Sequence, residues 1–404
     1  MATSLVRERL AARAAAARYT PFIRLGGALT VVGLLLFALM LKGSSAGRAW
    51  HLFHVNWLFF TSLSGGSVAF AAVQKVSKSK WSGLMIRFAE AAAAFLPVSF
   101  LGFLLIFLAG YHHIYPEMAG LAPGKQHWLS HGWMFWRLFL GLGLLYFLGF
   151  KLIQSDLIPD LHEVKGTVTG WRLRLYERWI SAAGYDGSNE VIARQNQRIY
   201  TLAPAYMVVY ALVFTIVAFD GIMALQPHWF SNLLGGFFFM GAFLGAHMLL
   251  ALLTLYGGRE VGIADLVSPK QRHDLGKLCF GFTVFWAYLM WAQFLVIWYG
   301  NLPEETGFVF ARLWGPWLPV GRAVFLGMFL IPFVGLLGVL PKKTPLTLGL
   351  FASVSLLALW LERYLLVLPS VTREPGPVFG LPEFAPTALF LGLFLLTYGL
   401  FART

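Results

Sequence analysis

Asp220 stands at the last position of a long apolar run, at the start of the hairpin Phe219-Asp220-Gly221-Ile222-Met223-Ala224-Leu225-Gln226-Pro227-His228-Trp229-Phe230-Ser231. That stretch sets an acid, an imidazole and an indole between two apolar runs. An acid inside an apolar register needs a partner or a task, because hydrocarbon does not solvate it. Other ionisable side chains share this situation: Arg87 with Glu90, Arg137, His247, Asp274 with Lys277, Arg322, and the neighbours Glu362 and Arg363. His51, His54 and Gln293 add hydrogen-bonding groups in similar surroundings. A carboxylate or imidazole within hydrogen-bond reach of a hydroxyl can accept its proton, and several such groups at one depth can relay protons.

The elements that must position them follow from composition. The chain has 404 residues, 58% of them hydrophobic, 16% aromatic and only 12% charged, with a mean hydropathy of +0.69. That is too apolar for a soluble domain. Apolar runs of roughly 20 residues, rather than alternating segments of roughly 10, select helices over a transmembrane barrel. The expected fold is therefore all-α and polytopic, with ten transmembrane helices. A single cysteine, Cys279, excludes an internal disulfide, a CxxC metal site and a CxxCH haem attachment within the chain; Cys279 itself reads as a small packing residue.

In chain order, Arg7, Arg9, Arg13, Arg18 and Arg24 among alanines form a basic amphipathic segment suited to an anionic leaflet, read as a retained start rather than a signal peptide. The spans fall at about 22–41, 50–73, 84–108, 133–152, 200–219, 232–256, 275–298, 317–340, 346–368 and 386–401. Between Gln154 and Arg198 lies the one long polar segment, with Asp156, Asp160, Glu163 and a basic helix-like stretch around Trp171. Lys and Arg concentrate in the N-terminal segment and in the loops after even-numbered spans, among them Lys75, Lys78, Lys80, Arg172, Arg174, Arg178, Arg259, Lys342 and Lys343. Loops after odd-numbered spans hold only Lys42, Arg48, Lys125, Arg312 and Arg373. The positive-inside rule then puts both termini in the cytoplasm and the Asp220 hairpin outside. The net charge of +13 reads as leaflet anchoring, with no need for nucleic acid.

This topology sorts the polar residues into two layers. His51, His54, His112, His113, Arg137, Asp220, His228, Gln293, Arg322, Glu362 and Arg363 lie toward the outside; Arg87, Glu90, His247, His273, Asp274 and Lys277 lie toward the cytoplasm. Glu90, His247 and Asp274, with Arg87 and Lys277 as charge partners, are the candidates for a cytoplasm-facing half-channel. His54, Asp220 and Gln293, with Arg137 and Arg322 at similar depth, are the candidates for an outward pocket. Each group also has a plainer reading. Arg87 and Glu90, at i and i+3, can pair on one helix face. Arg137 and Arg322 can hold Glu362 or Asp220, or snorkel outward. Glu362 and Arg363 point to different faces and are expected to pair with other helices. His247 can be a core histidine with its hydrogen bond satisfied. Arg137 and Arg322 each follow a tryptophan, Trp133 and Trp317, by a turn or so, hinting that spans two to five and six to nine are similar four-helix bundles.

Three runs carry a family resemblance: Ala218 to Ser231; Gly276-Lys277-Leu278 through Ala287-Tyr288-Leu289-Met290-Trp291-Ala292-Gln293 to Trp298-Tyr299-Gly300-Asn301-Leu302-Pro303-Glu304-Glu305; and Leu361-Glu362-Arg363-Tyr364 with Pro369-Ser370. They resemble the membrane subunits of the NrfD and polysulfide-reductase family, most of all those of the bacterial alternative complex III, a quinol:cytochrome c oxidoreductase. The resemblance covers about residues 200–370 by motif and the whole chain by its ten-helix plan. It implies two four-helix bundles flanked by two more helices, and residence in the bacterial inner membrane. It also implies no cofactor bound in this chain and a quinol as the ligand of such a complex. Iron–sulfur clusters and c-type haems would sit on partners: a periplasmic iron–sulfur protein, c-type cytochrome subunits and a paralogous NrfD-like membrane subunit. Length and the lack of extra terminal segments look more like the ActF type of subunit, associated with proton movement, than the quinol-binding ActC type. Two other classes stand beside this one. A secondary transporter would use the charged layers as gates and is expected to show helices broken at mid-membrane. A purely structural anchor would not need acids and histidines within the apolar register.

Overall fold

The computed structural model describes residues 12–13, 16–43, 45–83, 85–118, 120–372, 374 and 376–404. Arg7, Arg9, Leu84 at the expected start of span three, and Arg373 lie outside the described residues. The structure is 84% helical, with no strand among the described residues, as an all-α membrane protein requires. Among the described residues, ten long helices carry the architecture: α1 (Thr20–Leu41), α2 (Ala46–Val76), α3 (Ile86–Ile114), α4 (His131–Val164), α5 (Asn189–Gly221), α6 (Leu234–Val261), α7 (Pro269–Gly300), α8 (Gly315–Gly335), α9 (Pro345–Val371) and α10 (Leu381–Arg403). Among the described residues, 9 of these are long and apolar enough to cross a membrane. The exception is α2, which has 31 residues and so a length of about 46 Å. Its apolar character is diluted by His51, His54, Asn56, Thr61, Ser62, Ser64 and Ser67, a composition its position explains. Nearly every residue of α2 from Trp50 to Ala72 is buried among other helices, where hydroxyl and amide groups find partners that lipid would not supply.

Helices α2 to α5 pack together, as do α6 to α9, and the two groups join along α2 and α6. Gly66 makes that seam close: a Cβ there would lie 2.5 Å from the Ala242 carbonyl oxygen. The flanking helices α1 and α10 form an antiparallel pair against α2. A Cβ on Gly33 would come within 2.3 Å of the Leu389 amide nitrogen, so small residues set the contact, as is common between membrane helices. Residues 22 and 23 lie against Gly399, which places the first and last helix ends at one end of the bundle, the termini end. The opposite, far end holds the Asp220 hairpin and residues 300–318 and 376–381.

Two expectations change in detail. The polar stretch 154–198 is mostly helix: α4 continues to Val164 with Pro159 inside it, a surface helix spans Trp171–Ala183, and α5 begins at Asn189. The surface helix is held by a small cluster of Ile158, Val168, Tyr176, Ile180 and Tyr185, and the Tyr176 hydroxyl donates to the Thr404 carbonyl at 2.6 Å. The eighth helix stops at Gly335, short of 340. The carbonyls just past its end are capped by the Lys342 ammonium, which donates to the Leu336 and Leu337 oxygens at 2.9 and 3.2 Å.

Candidate functional site

The buried acids of the first bundle, Glu90, Asp156 and Asp220, each meet a base. At the far end Arg137, on α4, grips Asp220, on α5, through two hydrogen bonds, Nε to Oδ2 at 2.7 Å and Nη2 to Oδ1. Arg137 also donates to the Trp128 carbonyl at 2.6 Å and lies over the Trp128 ring. Asp220 is 1% exposed, so a bidentate guanidinium is the partner its burial demands. One residue on, the Gly221 carbonyl accepts from His54 Nε2 at 2.7 Å. A side chain at Gly221 would press on Leu58 and His54, and glycine allows this approach. His54 is fully buried and stacks on Trp57.

Toward the termini end, Arg87 is the hub of a second group. It donates to Glu90 at 2.5 Å, Asp156 at 2.6 Å and Asp160 at 3.0 Å, and Lys75 reaches Asp156 at 2.6 Å. Three acids thus face two bases on α2, α3 and α4. Glu90 and Asp156 are both largely buried, and a surplus acid in such a cluster is a group that can carry a proton. Between the two clusters a chain of hydroxyls crosses the bundle, Thr61 to Ser99 at 2.5 Å and Ser99 to Tyr146 at 2.8 Å.

The other half-channel candidates do not join this cluster. His247 donates from Nδ1 to the Phe243 carbonyl at 2.7 Å inside an aromatic box of Phe70, Phe243 and Phe282. Asp274 pairs with Lys277 on its own helix at 2.7 Å, at a partly exposed site. Among the described residues no hydrogen bond or ion pair links Glu90, His247 and Asp274. The outward candidates also separate. His54, Arg137 and Asp220 form one group in the first bundle, whereas Gln293 and Arg322 line a cavity in the second.

That cavity, of about 480 Å³, is the second bundle's distinguishing feature. Its walls are apolar side chains of α6 to α9 and of a short helix, Pro303–Leu313, that lies across the far end. Glu362 reaches it from α9. The expectation that Glu362 and Arg363 pair with other helices is corrected: they pair with each other at 2.8 Å. Both are buried where no other charged partner is available, and their long side chains bend back to meet. Trp286 of α7 donates to the second Glu362 oxygen at 3.0 Å, and Arg363 lies over the Phe238 ring. The carboxylate is therefore oriented from both sides.

The opening follows from the shape of α8. A π-turn at Leu326–Leu330 adds a residue to one turn and shifts the axis, a feature often found at functional sites. Helix α7 packs against the Leu326–Gly335 part of α8 but scarcely touches Leu318–Phe325. The cavity lies in the gap, and its rim includes Phe325 and Leu326, 38% and 41% exposed, on the apolar outer surface of the bundle.

The Pro303–Leu313 helix forms the far-end wall. Trp229 of the Asp220 hairpin stacks on Phe308, with ring centroids 3.6 Å apart and planes 8° from parallel. One turn on from Phe308, Arg312 donates to the Leu366 carbonyl at 2.7 Å and the Ser370 hydroxyl at 2.6 Å. Sequence reasoning missed Arg312, which counted only as a loop charge, and Asp156, which fell in the presumed polar loop. The signal for Arg312 was its place at the end of an amphipathic helix beginning Pro303-Glu304-Glu305. No family model matches the chain, and no curated protein matches it either. Among the described residues no cluster of three or more His, Cys, Asp or Glu side chains could hold a metal ion.

Proposed function

We propose that this chain is a membrane subunit of a quinol:cytochrome c oxidoreductase, or of a complex serving another periplasmic acceptor, and that its second bundle receives the quinol. The carrying observation is the cavity between α7 and α8: apolar, open toward the lipid-facing surface, and ending on an oriented carboxylate. A quinol is dissolved in the bilayer and enters sideways, whereas a transporter's solute site opens to water on alternate sides. A quinol ring needs an apolar slot, and its hydroxyl needs a proton acceptor within hydrogen-bond reach. Glu362 would be that acceptor, and Gln293 would orient the second oxygen.

In this reading α2 is the tenth span, the termini end faces the cytoplasm of a bacterium, and the far end meets the partners. The Lys and Arg asymmetry supports that orientation. The electrons would leave to iron–sulfur and c-type haem centres on partner subunits, as the NrfD-like motifs suggest. The Arg87, Glu90 and Asp156 cluster would serve proton conduction on the cytoplasmic side.

Purification from native membranes tests the assignment. The chain is expected to bring c-type cytochrome with it, and the assembly to reduce an acceptor with quinol. Leu365→Trp, which fills the cavity without touching a charge, is expected to abolish that turnover and leave assembly intact. Isolation of the chain without redox partners, or full turnover by Leu365→Trp, would overturn it.

A further inference from the structure

Arg312 and Arg322 both line the cavity, and neither has an acid. Arg312 is 4% exposed and its partners are two backbone carbonyls and a hydroxyl, of Phe308, Leu366 and Ser370. Its Nε has no partner, and among the described residues it makes no ion pair. Its guanidinium lies 3.3 Å from the centre of the Phe308 ring, a cation–π contact that holds the charge in place without neutralising it. Burial works against that charge. Arg322 is exposed and, among the described residues, has no hydrogen bond or ion pair. Glu362 does not balance either charge, because Arg363 already does. Among the described residues that line the cavity, its far-end mouth thus holds two positive charges and no free negative one.

Depth identifies the ligand. Arg312 binds α9 at Leu366 and Ser370, one and two turns beyond Glu362, so it lies roughly 6–12 Å nearer the far-end surface. Arg322 is in the first turns of α8 from the same end. Charged groups at the start of spans sit at the level of lipid headgroups, and the apolar rim of Phe325 and Leu326 continues from there along the bilayer.

We propose that Arg312 and Arg322 form a binding site for the phosphate of an anionic phospholipid, whose acyl chains lie along the opening between α7 and α8. Arg322 can donate two parallel hydrogen bonds to phosphate oxygens, a fork that Lys lacks, and Arg312, whose terminal nitrogens are already bonded, adds its charge and its Nε. The lipid neutralises the buried charge of Arg312 and closes the mouth of the cavity at the headgroup level, leaving the deeper end at Glu362 accessible. The site goes beyond the quinol reading and stands without it. A free phosphate offers the same oxygens but not the chains.

The test uses the full chain in bilayers of phosphatidylcholine doped with phosphatidylglycerol, followed by native mass spectrometry of the bound lipid. Wild type is expected to retain phosphatidylglycerol in preference to phosphatidylcholine. Arg322→Gln is expected to reduce that retention about tenfold, the effect of one lost charge-assisted pair. Arg312→Gln should reduce it at least as much. Arg322 has no structural partner to lose, so its variant folds and remains decisive if Arg312→Gln does not. Glu362→Asp keeps the charge of its pair and is expected to leave lipid retention unchanged while altering quinol turnover, which separates the two proposals. Equal retention of both lipids by wild type, or unchanged retention by Arg322→Gln, would overturn the lipid site. Displacement of the lipid by inorganic phosphate would also overturn it and assign the two arginines to a soluble anion.

Discussion

The two bundles place an arginine at the same point and treat it differently. Arg137 follows Trp133 near the start of α4, and Arg322 follows Trp317 near the start of α8; each is the third helix of its bundle. Asp220, one residue before the end of α5, closes the first bundle by gripping Arg137. The matching place on α9, one residue before its end at Val371, is Ser370. A hydroxyl cannot neutralise Arg322, and this one is already bound by Arg312. One bundle is sealed by an ion pair; the other keeps two unpaired guanidiniums and a cavity. The difference teaches that, within one helical plan, the bundle with an acid at the helix end pairs its arginine there, and the bundle with a hydroxyl at that place leaves an arginine beside a cavity.

Removing the seal should produce the largest effect. Asp220→Ala leaves Arg137, 11% exposed at its side chain, without its carboxylate, and is expected to cost about 3–5 kcal/mol, measured by reversible unfolding in detergent. The double variant Asp220→Ala, Arg137→Leu should recover most of that loss. A single-variant cost below about 1 kcal/mol, as for an exposed pair, would show that the first bundle is not sealed by this contact.

Installing the acid in the second bundle should move it toward the first. Ser370→Asp places a carboxylate where Arg312 now donates to the hydroxyl at 2.6 Å, and should stabilise the protein by about 1–2 kcal/mol. It should also weaken binding of an anionic lipid at that mouth. Loss of stability, or unchanged lipid binding, would argue against the equivalence of the two positions. Arg322→Gln should change stability least, within about 0.5 kcal/mol, while Arg137→Gln, which strands Asp220, should be costly. Equal effects from the two arginines would erase the contrast.

The all-α class and the order of the apolar helices were legible in the sequence because hydrophobic runs are local properties. The pairing of Arg87 with Glu90 was also legible, since i and i+3 share a helix face. Their third member was not: Asp156 lies 69 residues away from Arg87 and is brought to it by α4 continuing past its apolar part. Glu362 and Arg363 misled because consecutive helical positions point apart at Cβ, yet long side chains can meet beyond it. The cavity left no sequence mark, as it arises from the π-turn in α8 and the incomplete contact of α7 with that helix. Gln293 and Arg322 were named as pocket residues, but their depth alone could not tell which bundle's acid they accompany.

The central claim is that the second bundle, and not the first, receives a ligand from the membrane. Photoaffinity labelling with a ring-azido quinone, followed by peptide mapping, tests it most directly. Labels are expected on α7 between Trp286 and Ile297 and on α8 between Leu318 and Leu326, the helices that bound the cavity, and Leu365→Trp should abolish them. Labels centred on His54, Arg137 and Asp220, unchanged in Leu365→Trp, would contradict the account.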